Sequence, residues 1–201
     1  MGFAALYPSY ETTRFRDATR LRFASFVAPA SGQPLQCAGI QQGKNSMDLG
    51  LKGRNAVVLG GTRGIGRAIA GTLAGEGAGV AVCARNADQV GATVAELKAM
   101  GVKATGAPVD ITDAAALKSW ISDVAEELGS IDMLFSNAGA MAQGGDAASW
   151  EQNFRLDVLG AVNAFEAARP FLEASGEKTG DAACVIISSI SAAQADTASS
   201  Y

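Results

Sequence analysis

An apolar run, a glycine-rich turn and a helical repeat follow one another directly in this chain. Residues Ala56–Leu59 are apolar throughout and end in Gly60-Gly61, as expected of a strand that is buried on both faces. Apolar residues then recur every four positions, at Ile65, Ile69 and Leu73. That spacing predicts a helix with one buried stripe, so the unit is a strand, a turn and a helix.

The same alternation continues along the chain. Four further apolar runs lie at residues 79–83, 103–109, 131–135 and 184–187, and segments with helical periodicity separate them. Thr112 is expected to cap the third helix, and one long helix is expected from about Trp150 to Ala174. Strands and helices that alternate at this spacing predict an α/β fold with a doubly wound parallel sheet, whose ligands bind at the carboxyl ends of the strands.

Residues 1–46 lack helical or strand periodicity. They hold five Lys/Arg against two Asp/Glu, with scattered proline, serine and glycine. We expect an irregular or disordered N-terminal extension, followed by one folded domain at residues 47–201. A transit peptide is the alternative, although Glu11 and Asp17 depart from the acid-poor composition of such peptides.

The composition argues against several classes of function. Histidine is absent, which excludes Ser-His-Asp hydrolysis, Cys-His catalysis and nearly all zinc enzymes, so no metal site is expected. Residues 47–201 carry eleven Lys/Arg against eighteen Asp/Glu, which argues against nucleic acid as a partner. No apolar run approaches the ~20 residues of a membrane span. The three cysteines lack metal-ligand spacing and fit a reducing cytoplasm.

The turn at residues 60–66 has the features of a phosphate-binding loop. Its glycines permit a tight turn and a close approach of the backbone to a pyrophosphate, and the following helix presents N–H groups at its positive end. Gly61 and Gly66 have the spacing of a nucleotide-triphosphatase loop, but Arg67 and Ala68 replace the lysine and the Ser/Thr of that loop. The sequence therefore argues against a kinase or GTPase. The alternative to a phosphate-binding loop is a plain glycine turn without a ligand.

Three motifs together resemble one enzyme family. They are Gly-x-x-x-Gly-x-Gly at residues 60–66, Ser136-Asn137-Ala138-Gly139 after the fourth strand, and Ser188-Ser189 ahead of Tyr201. With them, residues 51–201 resemble the classical short-chain dehydrogenase/reductase family. The resemblance implies a Rossmann fold of strand order 3-2-1-4-5, with the family's C-terminal strands and helices missing and the fifth strand left as an exposed edge.

The resemblance also implies an activity and its catalytic residues. The family interconverts a carbonyl and a secondary alcohol, as 3-oxoacyl reductases and alcohol dehydrogenases do. Ser189 would donate a hydrogen bond to the substrate oxygen, Tyr201 would transfer the proton, and Asp157 stands where the family has a catalytic asparagine. The family's lysine would fall at position 205, so we expect the 201-residue chain itself to be inactive.

Resemblance and charge both point to NADP(H) rather than NAD(H) as the cofactor. Ala84 follows the second strand, where a carboxylate would repel a 2′-phosphate, and Arg63 and Arg85 can flank that group. The alternative is that Arg63 and Arg85 are solvated surface charges that bind no phosphate. Asp110 is similar to the family aspartate that meets the adenine; the alternative is a helix cap beside Thr112, and the two roles are compatible. The expected cofactor-binding residues are Gly60, Thr62, Arg63, Gly64, Ile65, Gly66, Arg85, Asp110, Ile111, Asn137, Ala138 and Gly139.

The expected partner is a small carbonyl or alcohol substrate, and a full-length form is expected to be a homodimer or homotetramer. A non-catalytic dinucleotide-binding sensor or scaffold is the second hypothesis. Asp157 and the missing lysine favour it, whereas Ser189 and Tyr201 oppose it. A Rossmann methyltransferase is disfavoured, because the glycine turn and the Asn-Ala-Gly segment suit a dinucleotide.

Overall fold

A computed structural model describes residues 48–139 and 146–189 fully, and residues 21–28 as backbone. The strands of this part are β1 Leu21–Ala28, β2 Asn55–Leu59, β3 Gly79–Ala84, β4 Ala104–Pro108, β5 Met133–Ser136 and β6 Ala182–Ser189. The helices are α1 Gly64–Gly75, α2 Ala87–Ala99, α3 Ala114–Leu128, α4 Ala147–Asn153 and α5 Gly160–Thr179, with a π-helical segment Phe154–Leu159 between the last two.

All strand pairs in the described sheet are parallel, and the order is β1-β6-β5-β2-β3-β4. The five strands expected from the sequence are β2 to β6, so the order 3-2-1-4-5 is confirmed. β2 is buried at every position, as its unbroken apolar run predicts. The sheet therefore has the doubly wound α/β architecture that the alternation predicts.

Two apolar cores lie on opposite faces of the sheet. One contains Leu117 and Ile121 of α3 with Leu172 of α5, and the other contains Ala70 and Leu73 of α1. Side chains of β2 alternate between these cores, as they must in a strand covered on both faces. Among the described helices, none combines the length and the apolar character that a bilayer crossing requires.

Residues 21–28 differ from the irregular N-terminal extension expected from the sequence, because they form β1 at one edge of the sheet. β1 pairs with β6 along all eight of its residues, from Leu21 opposite Ala182 to Ala28 opposite Ser189. The expectation that the fifth strand leaves an exposed edge is therefore wrong. Sequence periodicity missed β1 because Arg22 and Ser25 interrupt its apolar residues, so it lacks the unbroken apolar run that identified the other strands. The rest of the predicted extension, residues 1–20 and 29–46, lies outside the described residues.

Two helix predictions also need correction. The helix expected from about Trp150 to Ala174 is divided into α4, the π-helical segment and α5. The N-cap of α3 is Asp113 rather than Thr112, since the Asp113 carboxylate accepts hydrogen bonds of 3.0 Å from the backbone N–H groups of Ala115 and Ala116. Aspartate and threonine are both good caps, so the position of the first helical turn decided between them.

Candidate active site at the carboxyl edge of the sheet

The parallel sheet brings the sequence motifs to one edge, because its strands all end on the same side. The glycine turn follows β2, Arg85 follows β3, Asp110 follows β4, and Asn137 follows β5. Ser189 is the last residue of β6, and its side chain is exposed. Tyr201 lies outside the described residues.

The glycine turn is hydrogen-bonded to the neighbouring strand β3. The backbone N–H groups of Gly60 and Gly61 donate to the carbonyl of Cys83 at 2.9 and 3.3 Å. Gly60 and Gly64 have φ angles of +68° and +53°, which an L side chain adopts only at a cost. Burial raises the pKa of the Cys83 thiol to about 12, more than the hydrogen bond from Gly60 lowers it, so this thiol is a packing group.

The glycine turn and the Asn-Ala-Gly segment pack directly against each other. The Asn137 side-chain amide donates to the Gly60 carbonyl at 3.3 Å. A Cβ on Gly66 would lie 2.2 Å from that carbonyl oxygen and 2.5 Å from Asn137 Nδ2, and a Cβ on Gly60 would lie 3.0 Å from the Ala138 Cα. Glycine at residues 60 and 66 is therefore required by the contact between the two motifs, which spacing along the chain did not reveal.

The two arginines expected at the cofactor phosphate are both exposed at this edge. Arg63 is the N-cap residue of α1, and its side chain makes no capping hydrogen bond. α1 presents its first backbone N–H groups here, and Ile65 in that turn is 55% exposed. Apart from its chain neighbours and the backbone of its own helix, no atom of the described residues lies within 4 Å of a Cβ built on Gly64, so the turn is open on that side.

Gln89 joins the glycine turn to α2 and was missed from the sequence. The buried Thr62 hydroxyl lies 3.4 Å from Gln89 Oε1, and the Gln89 backbone N–H donates to Asn86 Oδ1 at 2.9 Å. Asn86 is thereby the N-cap of α2. The spacing Asn86-x-x-Gln89 resembles a capping box, which is the signal that could have identified it.

Asp110 forms a local turn after β4. Its Oδ1 accepts hydrogen bonds from the Thr112 backbone N–H at 2.9 Å and from the Thr112 hydroxyl at 2.8 Å. These two bonds, and then the nearby charge of Arg85, hold the pKa of the Asp110 carboxyl below its usual value despite partial burial. Because Asp113 caps α3, Asp110 is not the helix cap that the sequence allowed.

The next residue, Ile111, is buried, with its Cδ1 2.7 Å from a Cβ built on Gly160.

The π-helical segment places Asp157 beside the Asn-Ala-Gly segment. Asp157 Oδ1 lies 3.4 Å from a Cβ built on Gly139. Single π-helical turns within α-helices are frequent at functional sites, because the extra residue rotates the side chains that follow. The exposed Asp157 carboxylate thus lies at the same edge as the glycine turn, although helical periodicity alone predicted an unbroken helix.

Comparison with known proteins adds a family match to this geometry. The model of the short chain dehydrogenase family matches residues 54–201. Isoepoxydon dehydrogenase of Penicillium expansum is 37% identical over 131 residues, which cover 63% of this chain and 50% of that protein.

Two solved structures are similar and contain different cofactors. A short chain dehydrogenase of Burkholderia cenocepacia in complex with NADP is 34% identical, with a TM-score of 0.57, over 61% of this chain and 52% of that chain. A 7α-hydroxysteroid dehydrogenase in complex with NADH and 7-oxo glycochenodeoxycholic acid is 31% identical, with a TM-score of 0.60, over 63% of this chain and 51% of that chain. The chain spans about half the length of the relatives it matches.

Proposed function

This chain belongs to the short chain dehydrogenase family, and from that membership we propose that the protein is an NADP(H)-dependent oxidoreductase that interconverts a small carbonyl compound and its secondary alcohol. The observation that carries the proposal is the packing of the glycine turn against the Asn-Ala-Gly segment through Asn137 and Gly60. It supports one continuous dinucleotide site at the carboxyl edge of the sheet.

The described residues fit a dinucleotide. The turn is open beside Gly64, where no Cβ obstructs it, and the first N–H groups of α1 can donate to a pyrophosphate there. Arg63 and Arg85 are exposed on this side and suit a 2′-phosphate. The carboxylate of Asp110 is held mainly by its hydrogen bonds to Thr112, and the charge of Arg85 lowers its pKa only as a smaller cause. On the other side of the turn, Asn137 and Gly139 would line the nicotinamide.

The nicotinamide would supply or accept the hydride, and the protein's own residues would manage the oxygen and its proton. Ser189, exposed at the end of β6, would donate a hydrogen bond to the substrate oxygen. Tyr201 would transfer the proton. Asp157 would hold a polar group near Gly139, in the place of the family's asparagine.

Arg85→Ala and Arg63→Ala are each expected to weaken NADPH binding by at least about tenfold and to leave NADH binding unchanged. A charge-assisted hydrogen bond contributes about 1.5–3 kcal/mol, and only NADPH has the phosphate that would receive it. Titration of NADPH and NADH fluorescence with each variant measures both constants. Arg155→Ala is the matched control, because Arg155 on the π-helical segment forms an exposed ion pair with Glu151 of α4. Equal losses for the two cofactors would refute the assignment of a 2′-phosphate site.

Asp157→Asn is expected to preserve or raise turnover. A carboxylate disfavours ionisation of a nearby tyrosine, and the amide removes that charge while keeping the size of the side chain. The measurement uses a chimera of residues 54–201 followed by the C-terminal half of the Penicillium isoepoxydon dehydrogenase. A fall in kcat of roughly a hundredfold, with folding unchanged, would instead identify Asp157 as a general acid or base.

The same chimera tests the proposed activity. We expect NADPH oxidation with one or more members of a panel of small ketones and 3-oxoacyl thioesters, and loss of that turnover in Ser189→Ala. Tight NADPH binding without turnover on any of them would favour the sensor or scaffold hypothesis, which the carboxylate at Asp157 supports.

We also propose that the protein is a homodimer or homotetramer and that it is cytoplasmic. Light scattering of the purified protein tests its oligomeric state, and imaging of a tagged form tests its location.

A further inference from the structure

Gln89 is hydrogen-bonded to the neighbour of each arginine that would flank a 2′-phosphate. Its side-chain carbonyl accepts from the hydroxyl of Thr62, the residue before Arg63, in a long bond of 3.4 Å. Its backbone N–H donates at 2.9 Å to the side chain of Asn86, the residue after Arg85. Gln89 therefore lies between the two segments that present the arginines at the carboxyl edge of the sheet.

The bond from Thr62 sets the direction in which the Gln89 amide faces. A glutamine amide has its C=O and its NH₂ on two branches of one planar group, so an oxygen turned towards Thr62 leaves the NH₂ directed away from it. Thr62 is buried, whereas Gln89 is exposed. Within the part of the chain that the structure describes, no residue accepts a hydrogen bond from this NH₂ group. The group is thus an available donor on the exposed side of the glycine turn.

The backbone of α2 holds Gln89 at this place. Gln89 lies in the first turn of the helix, which Asn86 caps, and its carbonyl accepts from the hydroxyl of the buried Thr93 at 2.8 Å. An acidic residue would also suit this turn, because it complements the positive end of the helix. Gln89 instead has an uncharged amide, which adds no negative charge beside a phosphate.

We propose that Gln89 is a further residue that determines cofactor specificity, with its side-chain carbonyl on Thr62 and its NH₂ group donating to the 2′-phosphate between Arg63 and Arg85. The charged phosphate oxygens accept stronger hydrogen bonds than a ribose hydroxyl does, so this donor favours NADP(H) over NAD(H). The inference rests on the proposed NADP(H) site and adds one residue to it.

Gln89→Glu tests this role with little risk to the fold. Glutamate keeps an oxygen that accepts from Thr62 and suits the first turn of α2, but it replaces the NH₂ by a charged oxygen that repels a phosphate. The probes are adenosine 2′,5′-bisphosphate and adenosine 5′-monophosphate, which differ in the 2′-phosphate. In the full 201-residue chain, we expect the affinity ratio of the first to the second to fall by at least about tenfold, the effect of losing one hydrogen bond to a charged group.

Calorimetric titration measures both affinities, and denaturant unfolding checks the fold. Ala95→Glu is the matched control, because it adds the same charge to the exposed side of α2 about 9 Å further along the helix axis. Screening by salt weakens the effect of a charge at that distance, so the affinity ratio should stay at its wild-type value. A ratio that falls equally in Gln89→Glu and Ala95→Glu would contradict a specific role of Gln89.

Gln89→Met separates recognition of the phosphate from support of the turn. Methionine is similar in length but has neither the NH₂ donor nor the carbonyl acceptor, so we expect the affinity ratio to fall here as well. If Gln89 only supported Thr62, Gln89→Glu would bind both nucleotides as the wild type does, and Gln89→Met would weaken both alike. That pair of results would overturn the proposal.

NMR of the Gln89 side-chain amide provides a measurement on the wild-type chain. Its NH₂ resonances, identified by their absence in Gln89→Glu, should shift when the bisphosphate is added and much less when the monophosphate is added. Equal shifts with the two nucleotides would contradict the proposed contact.

The same titrations distinguish failure of this inference from failure of the proposed cofactor. If Arg63→Ala and Arg85→Ala lower the affinity ratio and Gln89→Glu does not, the NADP(H) site stands and the role of Gln89 is wrong. A wild-type chain with equal affinity for the two nucleotides would overturn both the NADP(H) assignment and the role of Gln89.

Discussion

Gly66→Ala is expected to weaken NADPH binding by at least about 100-fold, the effect of losing two charge-assisted hydrogen bonds of about 1.5 kcal/mol or more each. The added methyl carbon would lie 2.2 Å from the Gly60 carbonyl oxygen and 2.5 Å from Asn137 Nδ2. The Gly60 carbonyl is backbone and cannot rotate away as a flexible side chain can. The turn must therefore move, and with it the start of α1, whose N–H groups would hold the pyrophosphate.

The same substitution should lower the free energy of unfolding by roughly 1–3 kcal/mol, the usual cost of overpacking. Denaturant unfolding measures this loss, and fluorescence titration measures the affinity for NADPH. Gly71→Ala provides a control in the same helix, since a Cβ built there meets no atom of the described residues within 4 Å apart from its chain neighbours and the helix's own backbone. Alanine at that position should raise stability by about 0.5–1 kcal/mol and leave binding unchanged.

If Gly66→Ala bound NADPH as tightly as Gly71→Ala, the contact between the glycine turn and Asn137 would not shape the cofactor site. The geometric basis of the proposed function would then fail. A loss of binding in both variants would instead mean that α1 as a whole tolerates no added methyl group, and it would contradict the specific role given to Gly66.

Asp132→Ala is expected to lower the free energy of unfolding by about 3–5 kcal/mol, as breaking a buried charged network does. Asp132 is 4% exposed, at the start of β5 on the edge opposite the candidate active site. Its Oδ2 accepts from the Asn55 backbone N–H at 2.7 Å and the Ser130 hydroxyl at 3.0 Å. Its Oδ1 accepts from the Ser175 hydroxyl at 2.5 Å and from Arg54 at 3.3 Å.

This network joins the strands β2 and β5 to α5, so the alanine variant loses contacts between three elements and leaves several buried donors unpaired. Glu96→Gln is the matched control. Glu96 pairs with Arg67 on the surface, where both side chains are about half exposed, and loss of such a pair costs about 0–1 kcal/mol. A cost for Asp132→Ala no larger than that of Glu96→Gln would show that the network does not stabilise the fold.

The pH dependence of Asp132 follows from the same contacts. Burial raises the pKa of its carboxyl, but the hydrogen bonds from Ser175, Asn55, Ser130 and Arg54 together outweigh burial and hold the pKa below its usual value. The stabilisation is therefore fully present above the unfolded value of about 4 and is lost as the pH falls through the lower folded pKa. Unfolding of the wild type and of Asp132→Asn between neutral and acidic pH should show a stability difference that shrinks below about pH 4.

The strands β2 and β3 illustrate what could be predicted from the sequence. Each is a short, unbroken apolar run between polar or glycine residues, and burial on both faces of a parallel sheet requires that composition. The glycine turn after β2, the residues Arg63 and Arg85, and the Asn-Ala-Gly segment after β5 could be located because each follows such a run directly. Their meeting at one edge of the sheet also follows from the parallel order of the strands.

The features that the sequence analysis missed depend on contacts between elements or on short irregular turns. Asn86 and Gln89 carried a capping pattern, but their link to Thr62 depends on how α2 lies against the glycine turn. The π-helical segment that places Asp157 beside Gly139 was predicted as part of one continuous helix, because a single π-helical turn is too short to show a periodicity of its own.

The sequence by itself determined the alternation of strands and helices, the parallel sheet and the edge at which the chemistry lies, because these depend on burial patterns within short segments. Only the tertiary structure decided that Gly66 must be glycine because of Asn137, and that β1 joins β6 at the sheet edge. Both contacts connect residues far apart in the chain. Their distances and register are set by packing of the whole domain, and no local pattern in the sequence records them.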